Sequence, residues 1–340
     1  MEPGQRHVYL ITHPRSASNL FVRMLALEDQ PNVLSYKNGG YFFLPPGIFM
    51  NQLGIRGKHI KSWTQDERDW MMRCYQNCFN ELDEHIKAAE AAGKMAVVKE
   101  HSCFLAEPTA QSKFLFGGDS VNESPWTVHF RGTRATTKLM TQSLLSETIL
   151  PDGFLQMWSP TFLIRHPAMS FPSYYRTLTG NAGEMEEEKL SISMSLHWTR
   201  TLYEWYAVHP NESKVECGSG GVAWPLVLDA DDIITDPRVI SKFCGIVGLD
   251  PTKVRFTWSR ATGDEILGLP RFLRRMTSTL LASTGVISEN VSANLNLDLE
   301  AKKWRDEFGD YVGNRIENWV RAAMPDYEFM SARKLRVTPA

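Results

Sequence analysis

Arginine, serine and asparagine crowd the segment His13-Pro14-Arg15-Ser16-Ala17-Ser18-Asn19. A short apolar run, His7 to Thr12, precedes it, and Leu20 to Leu25 follows with helical character. A strand feeding a compact loop and then a helix aims several backbone N–H groups and the positive helix end at one point, which suits a phosphate. The segment is not a Walker A loop, because GxxxxGK[ST] is absent and it holds no Lys-Ser/Thr pair for Mg²⁺. That argues against an ordinary ATP or GTP hydrolase. Taken alone, the segment is equally compatible with a plain turn and an arginine in solvent.

A second segment shifts that balance. Arg165-His166-Pro167 sits at the end of the apolar run Thr161 to Arg165, and Ser173-Tyr174-Tyr175 lies eight residues beyond the arginine on the following helix. The arginine precedes the helix, so both side chains can converge on one anion at the helix mouth. A third cluster, Lys99-Glu100-His101, closes the apolar run Met95 to Lys99. An imidazole is a suitable proton acceptor near neutral pH. A single strand-end histidine is more often a hydrogen-bonded structural residue, and the Lys-x-His context tips the reading toward chemistry.

The elements that must hold these residues read as an α/β alternation. Strands are expected at His7–Thr12, 95–99, 161–165 and 224–229, with helices at 20–25, 191–209, 237–248 and 299–323. The helix from Thr64 to Gly93 is well signalled, with a Thr64/Glu67 capping box and apolar positions Trp70, Met71, Cys74, Phe79, Leu82 and Ile86. Cys74 and Cys78, four apart, read as core. The expected architecture is three-layer α/β/α around a central parallel sheet. Residues 36–62 read as Gly/Pro-rich loop. Residues 103–158 read as an insertion with some helix near 134–146, and residues 261–298 as an irregular lid or loop. The whole of 1–340 reads as one elaborated domain.

Composition narrows the function classes. The 340 residues carry 37 Lys+Arg against 39 Asp+Glu, a formal net charge of −2. A neutral body argues against coating nucleic acid or an anionic membrane, though not against a small basic site. Five scattered cysteines (Cys74, Cys78, Cys103, Cys217, Cys244) make no CxxC pair or zinc spacing, which suits a reducing compartment. The N-terminus lacks a secretory h-region, and no run approaches the roughly 20 apolar residues of a membrane span. A cytoplasmic protein is expected, with no metal site.

Pro14-Arg15-Ser16-Ala17-Ser18-Asn19 and Arg165 to Ser173-Tyr174-Tyr175 together resemble the two nucleotide elements of sulfotransferases. Those enzymes carry P-[KR]-[SA]-G-[ST]-[TS] for the 5′-phosphosulfate and R-x7-S, commonly followed by Y-Y, for the 3′-phosphate. Lys99-Glu100-His101 is similar to their K-T-H, and Leu228-Asp229-Ala230-Asp231-Asp232, Asp236-Pro237 and Phe243-Cys244-Gly245-Ile246 to their Y-E-D-L…D-P…F-L-G-[IL]. The resemblance covers roughly residues 7–30, 95–103, 160–178 and 222–250, and implies the P-loop-like sulfotransferase fold. It also implies transfer of a sulfonate from 3′-phosphoadenosine 5′-phosphosulfate to an acceptor hydroxyl. Under it the amides of Ala17, Ser18 and Asn19 hold the 5′-phosphate together with Ser16. Arg15 neutralises charge on the bridging oxygen, Arg165 and Ser173 hold the 3′-phosphate, Lys99 faces the sulfonate and His101 is the general base. Sulfonate carries less charge than a terminal phosphate, so cationic side chains and aimed N–H groups can serve without Mg²⁺.

The departures are specific. Ala17 stands where the family has Gly, so its backbone must avoid positive φ or accept strain. Asn19 replaces a hydroxyl residue, Asp229 stands in the place of an adenine-contacting tyrosine, and the family's C-terminal R-K-G element is missing. Arg271, Arg274 and Arg275 lie at a comparable place, where a solvated face is the simpler reading. Asp231 and Asp232 suit a helix cap better than catalysis. Tyr41, Phe42, Phe43, Phe49, Phe154, Met157 and Trp158 offer apolar surface for a small hydrophobic acceptor, against the alternative of ordinary core. Two other functions stay open: a related fold with altered chemistry, either hydroxyl elimination or phosphoryl transfer, and a nucleotide-binding protein without catalysis.

Overall fold

The computed structural model describes residues 7–130, 146–179, 187–209, 224–269, 271–289 and 291–337. The helix expected near 134–146 falls almost wholly, and Cys217 wholly, outside the described residues. Five strands form one sheet: β1 (His7–Thr12), β2 (Val33–Leu34), β3 (Met95–His101), β4 (Trp158–Ile164) and β5 (Leu226–Asp229), in the order β2-β3-β1-β4-β5. β1 and β2 each pair in parallel with β3, with Val8 opposite Val97 and Thr12 opposite His101. Every residue of β1, β3, β4 and β5 is buried, as expected of parallel strands covered on both faces. This is the expected α/β fold, a parallel sheet flanked by helices.

The boundaries differ in ways that matter for the chemistry. β3 runs two residues past the expected end, so Lys99 and His101 both belong to the strand. β4 ends at Ile164, which makes Arg165 the first residue beyond it. β2, only two residues long, left no readable signal.

Among the helices, Gln65–Ala91 has the predicted start: the Thr64 hydroxyl accepts from the Glu67 amide, and the Thr64 amide donates to the Glu67 carboxylate at 2.7 Å. Its buried stripe is Met71, Tyr75, Cys78, Phe79, Leu82, His85, Ile86 and Ala89. Trp70, counted with the apolar positions at helical spacing, lies off that stripe and is 55% exposed, with the Arg73 guanidinium over its ring. Cys74 is half-buried beside it.

Several stretches read as irregular are helical. Within 36–62 a helix spans Leu44–Gln52, its prolines at the first turn, where a missing N–H costs nothing. Pro108–Phe116 is capped by the buried Glu107, which accepts from the amides of Thr109 and Ala110. Short helices Gly263–Gly268, Arg271–Met276 and Ser278–Ala282 occupy the expected lid. The helix read as 191–209 is two, Glu187–Ser191 and His197–Val208. The final one is also two, Leu297–Phe308 and Asp310–Ser331, divided at Gly309, whose φ of 82° ends the first.

The chain divides into two compact units, each assembled from separated stretches: Met1–His13, Asn32–Phe162 and Met185–Val227 in one, Pro14–Pro31, Leu163–Glu184 and Leu228–Ala340 in the other. The first has a core of stacked aromatics, with Trp158 on Tyr9 at 4.7 Å and Phe154 edge-on to Phe79 at 4.8 Å. In the second, Phe21 packs on Phe243 at 5.3 Å. Among the described residues no helix is long and apolar enough to cross a membrane.

Candidate functional site

In the second unit, the loop after β1 takes an unusual backbone. Arg15 and Ala17 both have left-handed φ, 66° and 63°. Ala17 therefore accepts the strain that the family's glycine avoids, at a cost of about 1–2 kcal/mol. It stands at the N-cap of the helix Ser18–Leu25, and its carbonyl accepts from the Phe21 amide at 2.9 Å. The Arg165 guanidinium donates to the Arg15 carbonyl at 3.1 Å, bracing the turn. The Ser16 hydroxyl is buried and has no partner among the described residues, an arrangement that leaves one donor for a ligand oxygen.

The two motifs meet in the same unit. Arg15 Nε donates to Ser173 Oγ at 3.0 Å, Ser173 lying on the helix Pro167–Thr179, and a second Arg15 nitrogen donates to the Met276 carbonyl. Burial presses the Arg165 pKa down, the charge on Arg15 adds to that, and Asp231 and Asp229 pull the other way. Such an arginine gains from an anion placed beside it.

Arg15 and Ser173 open onto a cavity of about 600 Å³. Arg176, Thr177, Arg271, Arg274, Arg275, Ser278 and Thr279 complete its lining, which contains five arginines and no carboxylate. Arg176 forms a two-pronged ion pair with Glu307 at 2.6 and 2.7 Å. Arg271, Arg274 and Arg275 thus line this cavity, with Arg271 itself exposed. Sequence reasoning missed Arg176, whose position three residues after Ser173, close to one helical turn, was the available signal.

The acidic residues at and just after the end of β5 are held in structural contacts. Asp229 caps the helix Ala230–Thr235 by accepting from the Asp231 amide, and it accepts from the Tyr327 hydroxyl at 2.9 Å. Asp231 accepts from the amide and hydroxyl of Ser292, and Asp232 pairs with Lys334 at 2.8 Å. The cap is therefore Asp229, with the other two held in tertiary contacts.

In the first unit, Lys99 and His101 lie on one face at the C-terminal end of β3. Lys99 is 1% exposed, and its ammonium stands 4.2 Å from the centroid of Tyr41. Burial drops the Lys99 pKa to about 7 against a smaller upward pull from Glu100. Glu100, on the opposite face and fully buried, is pushed up to about 8 despite accepting from the amides of Phe43 and His101. His101 is 8% exposed, its ring 4.7 Å from Tyr41 and 5.0 Å from Phe104. Its Nδ1 lies 2.6 Å from Thr12 Oγ1.

Tyr41 reaches this place through its neighbour. Gly40 forms a parallel bridge with Lys99, and the Tyr41 amide donates to the Lys99 carbonyl at 2.8 Å. A Cβ on Gly40 would lie 2.2 Å from that carbonyl oxygen, so only glycine fits. The other aromatic residues expected of an acceptor pocket divide. Phe42 and Phe43 are buried, and Phe154 and Trp158 belong to the core, leaving Tyr41 beside the Lys-x-His pair. Phe49 and Met157 are half-buried elsewhere.

No family model matches the chain. A curated relative, the sulfotransferase ppzF of Metarhizium rileyi (strain RCEF 4871), is 41% identical over 340 residues, covering 98% of this chain and 97% of the relative. The sulfotransferase ppzF of Metarhizium majus (strain ARSEF 297) is 40% identical over 338 residues, covering 97% of each. Among solved structures, the sulfotransferase domain from the Synechococcus PCC 7002 olefin synthase covers 91% of this chain and 98% of that domain, at 13% identity and a TM-score of 0.36. At that level of identity, extending over nearly the whole of both relatives, the chain belongs to the sulfotransferase family.

Proposed function

We propose that the protein transfers a sulfonate group from 3′-phosphoadenosine 5′-phosphosulfate to the hydroxyl of a small, hydrophobic acceptor. The observation that carries this reading is the meeting of Arg15 and Ser173 on the wall of a cavity with five arginines and no carboxylate. A nucleotide with phosphate at both ends of its ribose suits such a seat, because guanidinium groups stay charged and match phosphate oxygens in pairs. The buried Ser16 hydroxyl fits a 5′-phosphate, as do the amides of Ala17, Ser18 and Asn19 at the start of their helix.

The donor supplies the sulfonate, and the residues of this chain supply placement, charge and a proton acceptor. Arg165 and Ser173 hold the 3′-phosphate, with Arg271, Arg274 and Arg275 taking the part of the absent R-K-G element. Arg15 faces the charge that develops on the leaving oxygen, and Lys99 faces the sulfonate oxygens. His101 takes the acceptor's proton as the new S–O bond forms. Tyr41 and Phe104, flanking His101, are the apolar surface on which an aromatic or aliphatic alcohol would rest. Incubation with sulfur-35-labelled donor and a panel of phenols and aliphatic alcohols is expected to yield a labelled ester. A folded protein that binds adenosine 3′,5′-bisphosphate yet labels no member of a broad panel would overturn the assignment.

A further inference from the structure

We infer that Thr12 is a positioning residue for His101, fixing its imidazole as the tautomer with the proton on Nδ1 and the lone pair on Nε2. The inference rests on the reading of His101 as the proton acceptor, and its geometry is independent of that reading.

Thr12 is the last residue of β1, fully buried and directly opposite His101 in the parallel register. Its hydroxyl makes two contacts: Oγ1 lies 3.1 Å from the Glu100 carbonyl and 2.6 Å from His101 Nδ1. A hydroxyl has one hydrogen, and a carbonyl oxygen can only accept. Both contacts are hydrogen bonds only if Thr12 donates to the Glu100 carbonyl and accepts from Nδ1–H. The reverse polarity, Thr12 donating to Nδ1, leaves two oxygens facing each other at 3.1 Å with no hydrogen between them. The buried carbonyl therefore sets the hydroxyl, and the hydroxyl sets the ring.

The neighbours hold the arrangement. Tyr41 and Phe104 flank the ring at 4.7 and 5.0 Å, which opposes a half-turn about its Cβ–Cγ bond. The partners come from two adjacent strands of the sheet, elements more rigid than loops. For a base acting through Nε2, the second nitrogen must carry the proton, and a fixed acceptor at Nδ1 also stabilises the ring once it is protonated.

The test is the nitrogen-15 spectrum of the histidines in the intact protein, assigned with His101→Gln, together with kinetics of Thr12→Val and Thr12→Ser. Wild-type His101 should show the Nδ1–H tautomer. Thr12→Val should lose that pure signature and lower kcat by about ten- to hundredfold, with affinity for adenosine 3′,5′-bisphosphate unchanged. Thr12→Ser, which keeps the hydroxyl, should restore both. An Nε2–H tautomer in the wild type overturns the inference, and so does a valine variant with unchanged tautomer and rate. If valine prevents folding, the wild-type spectrum and the serine variant decide alone. Failure of the base reading looks different: His101→Gln would keep full turnover while the wild-type tautomer remained as inferred.

Discussion

Arg15 and Ser173 stand 158 positions apart in the chain, and the guanidinium of one donates to the hydroxyl of the other at 3.0 Å. Arg165 joins them through the Arg15 carbonyl. If this cluster seats the 3′-phosphate, Arg165→Ala should weaken adenosine 3′,5′-bisphosphate binding by about ten- to hundredfold, the worth of one charged hydrogen bond. Calorimetry measures it directly. Unchanged affinity would move the phosphate elsewhere.

His101→Ala separates chemistry from binding. Loss of a general base lowers turnover by about a hundredfold or more, while bisphosphate affinity should stay near the wild-type value, because the proposed nucleotide seat lies in other residues. Steady-state rates and calorimetry on one preparation decide the matter, and undiminished turnover would exclude His101 as the base.

Lys99 and Glu100 set a stability profile whose signs are opposite. Lys99 falls to about 7 from 10.5, so between those values the unfolded chain holds more protons and stability rises with pH. Glu100 rises to about 8 from 4.5, so the folded chain holds more protons there and stability falls as pH climbs through that window. Lys99→Met should remove the first slope, stabilise the fold near and below pH 7 by on the order of a few kcal/mol, and abolish turnover. Urea unfolding at pH 6 and pH 9 for both proteins checks this. A variant with the wild-type slope would show that the buried amine does not titrate as inferred.

Gly40→Ala should be costly. The new methyl collides with the Lys99 carbonyl at 2.2 Å, and the backbone φ is 142°. A loss of ~3 kcal/mol or more is expected, read as a lower thermal midpoint with reduced turnover, because the bridge carries Tyr41 to the Lys-x-His pair. Wild-type behaviour in both would mean the segment docks differently.

Ala17→Gly relieves the left-handed turn. The strain of about 1–2 kcal/mol outweighs the extra unfolded-state freedom of glycine, so a net gain of up to about 1 kcal/mol is expected. A raised denaturation midpoint with intact nucleotide binding is the predicted result, and a lowered midpoint would place the strain elsewhere.

What could be read in advance followed from local rules. β1 was legible because five apolar or β-branched residues, Val8 to Thr12, are followed closely by Pro14, and the long helix because Thr64 and Glu67 close a box within four residues. Arg15, Arg165 and Ser173 were legible as a group because two strand-to-helix junctions each place polar groups at a helix mouth. The docking of Tyr41 on Lys99 left no such trace, since it depends on a bridge between segments nearly 60 residues apart and shows locally only as Gly39-Gly40. Trp70 misled because an apolar residue one position off a helical stripe faces roughly 100° away from it. Phe154 and Trp158 left both readings open because composition does not distinguish a core aromatic from a pocket wall.

The cavity wall is built from arginine, while the strand end uses lysine and histidine. Guanidinium groups keep their proton at any pH the fold survives, whereas the Lys99 amine, pressed to about 7, does not. On the proposed function, nucleotide capture would then change little above neutral pH, and only the reacting end would respond there. If Lys99 acts as proposed, a shift toward alkaline conditions would leave the protein loaded and silent, holding the proposed donor in reserve until the proton returns.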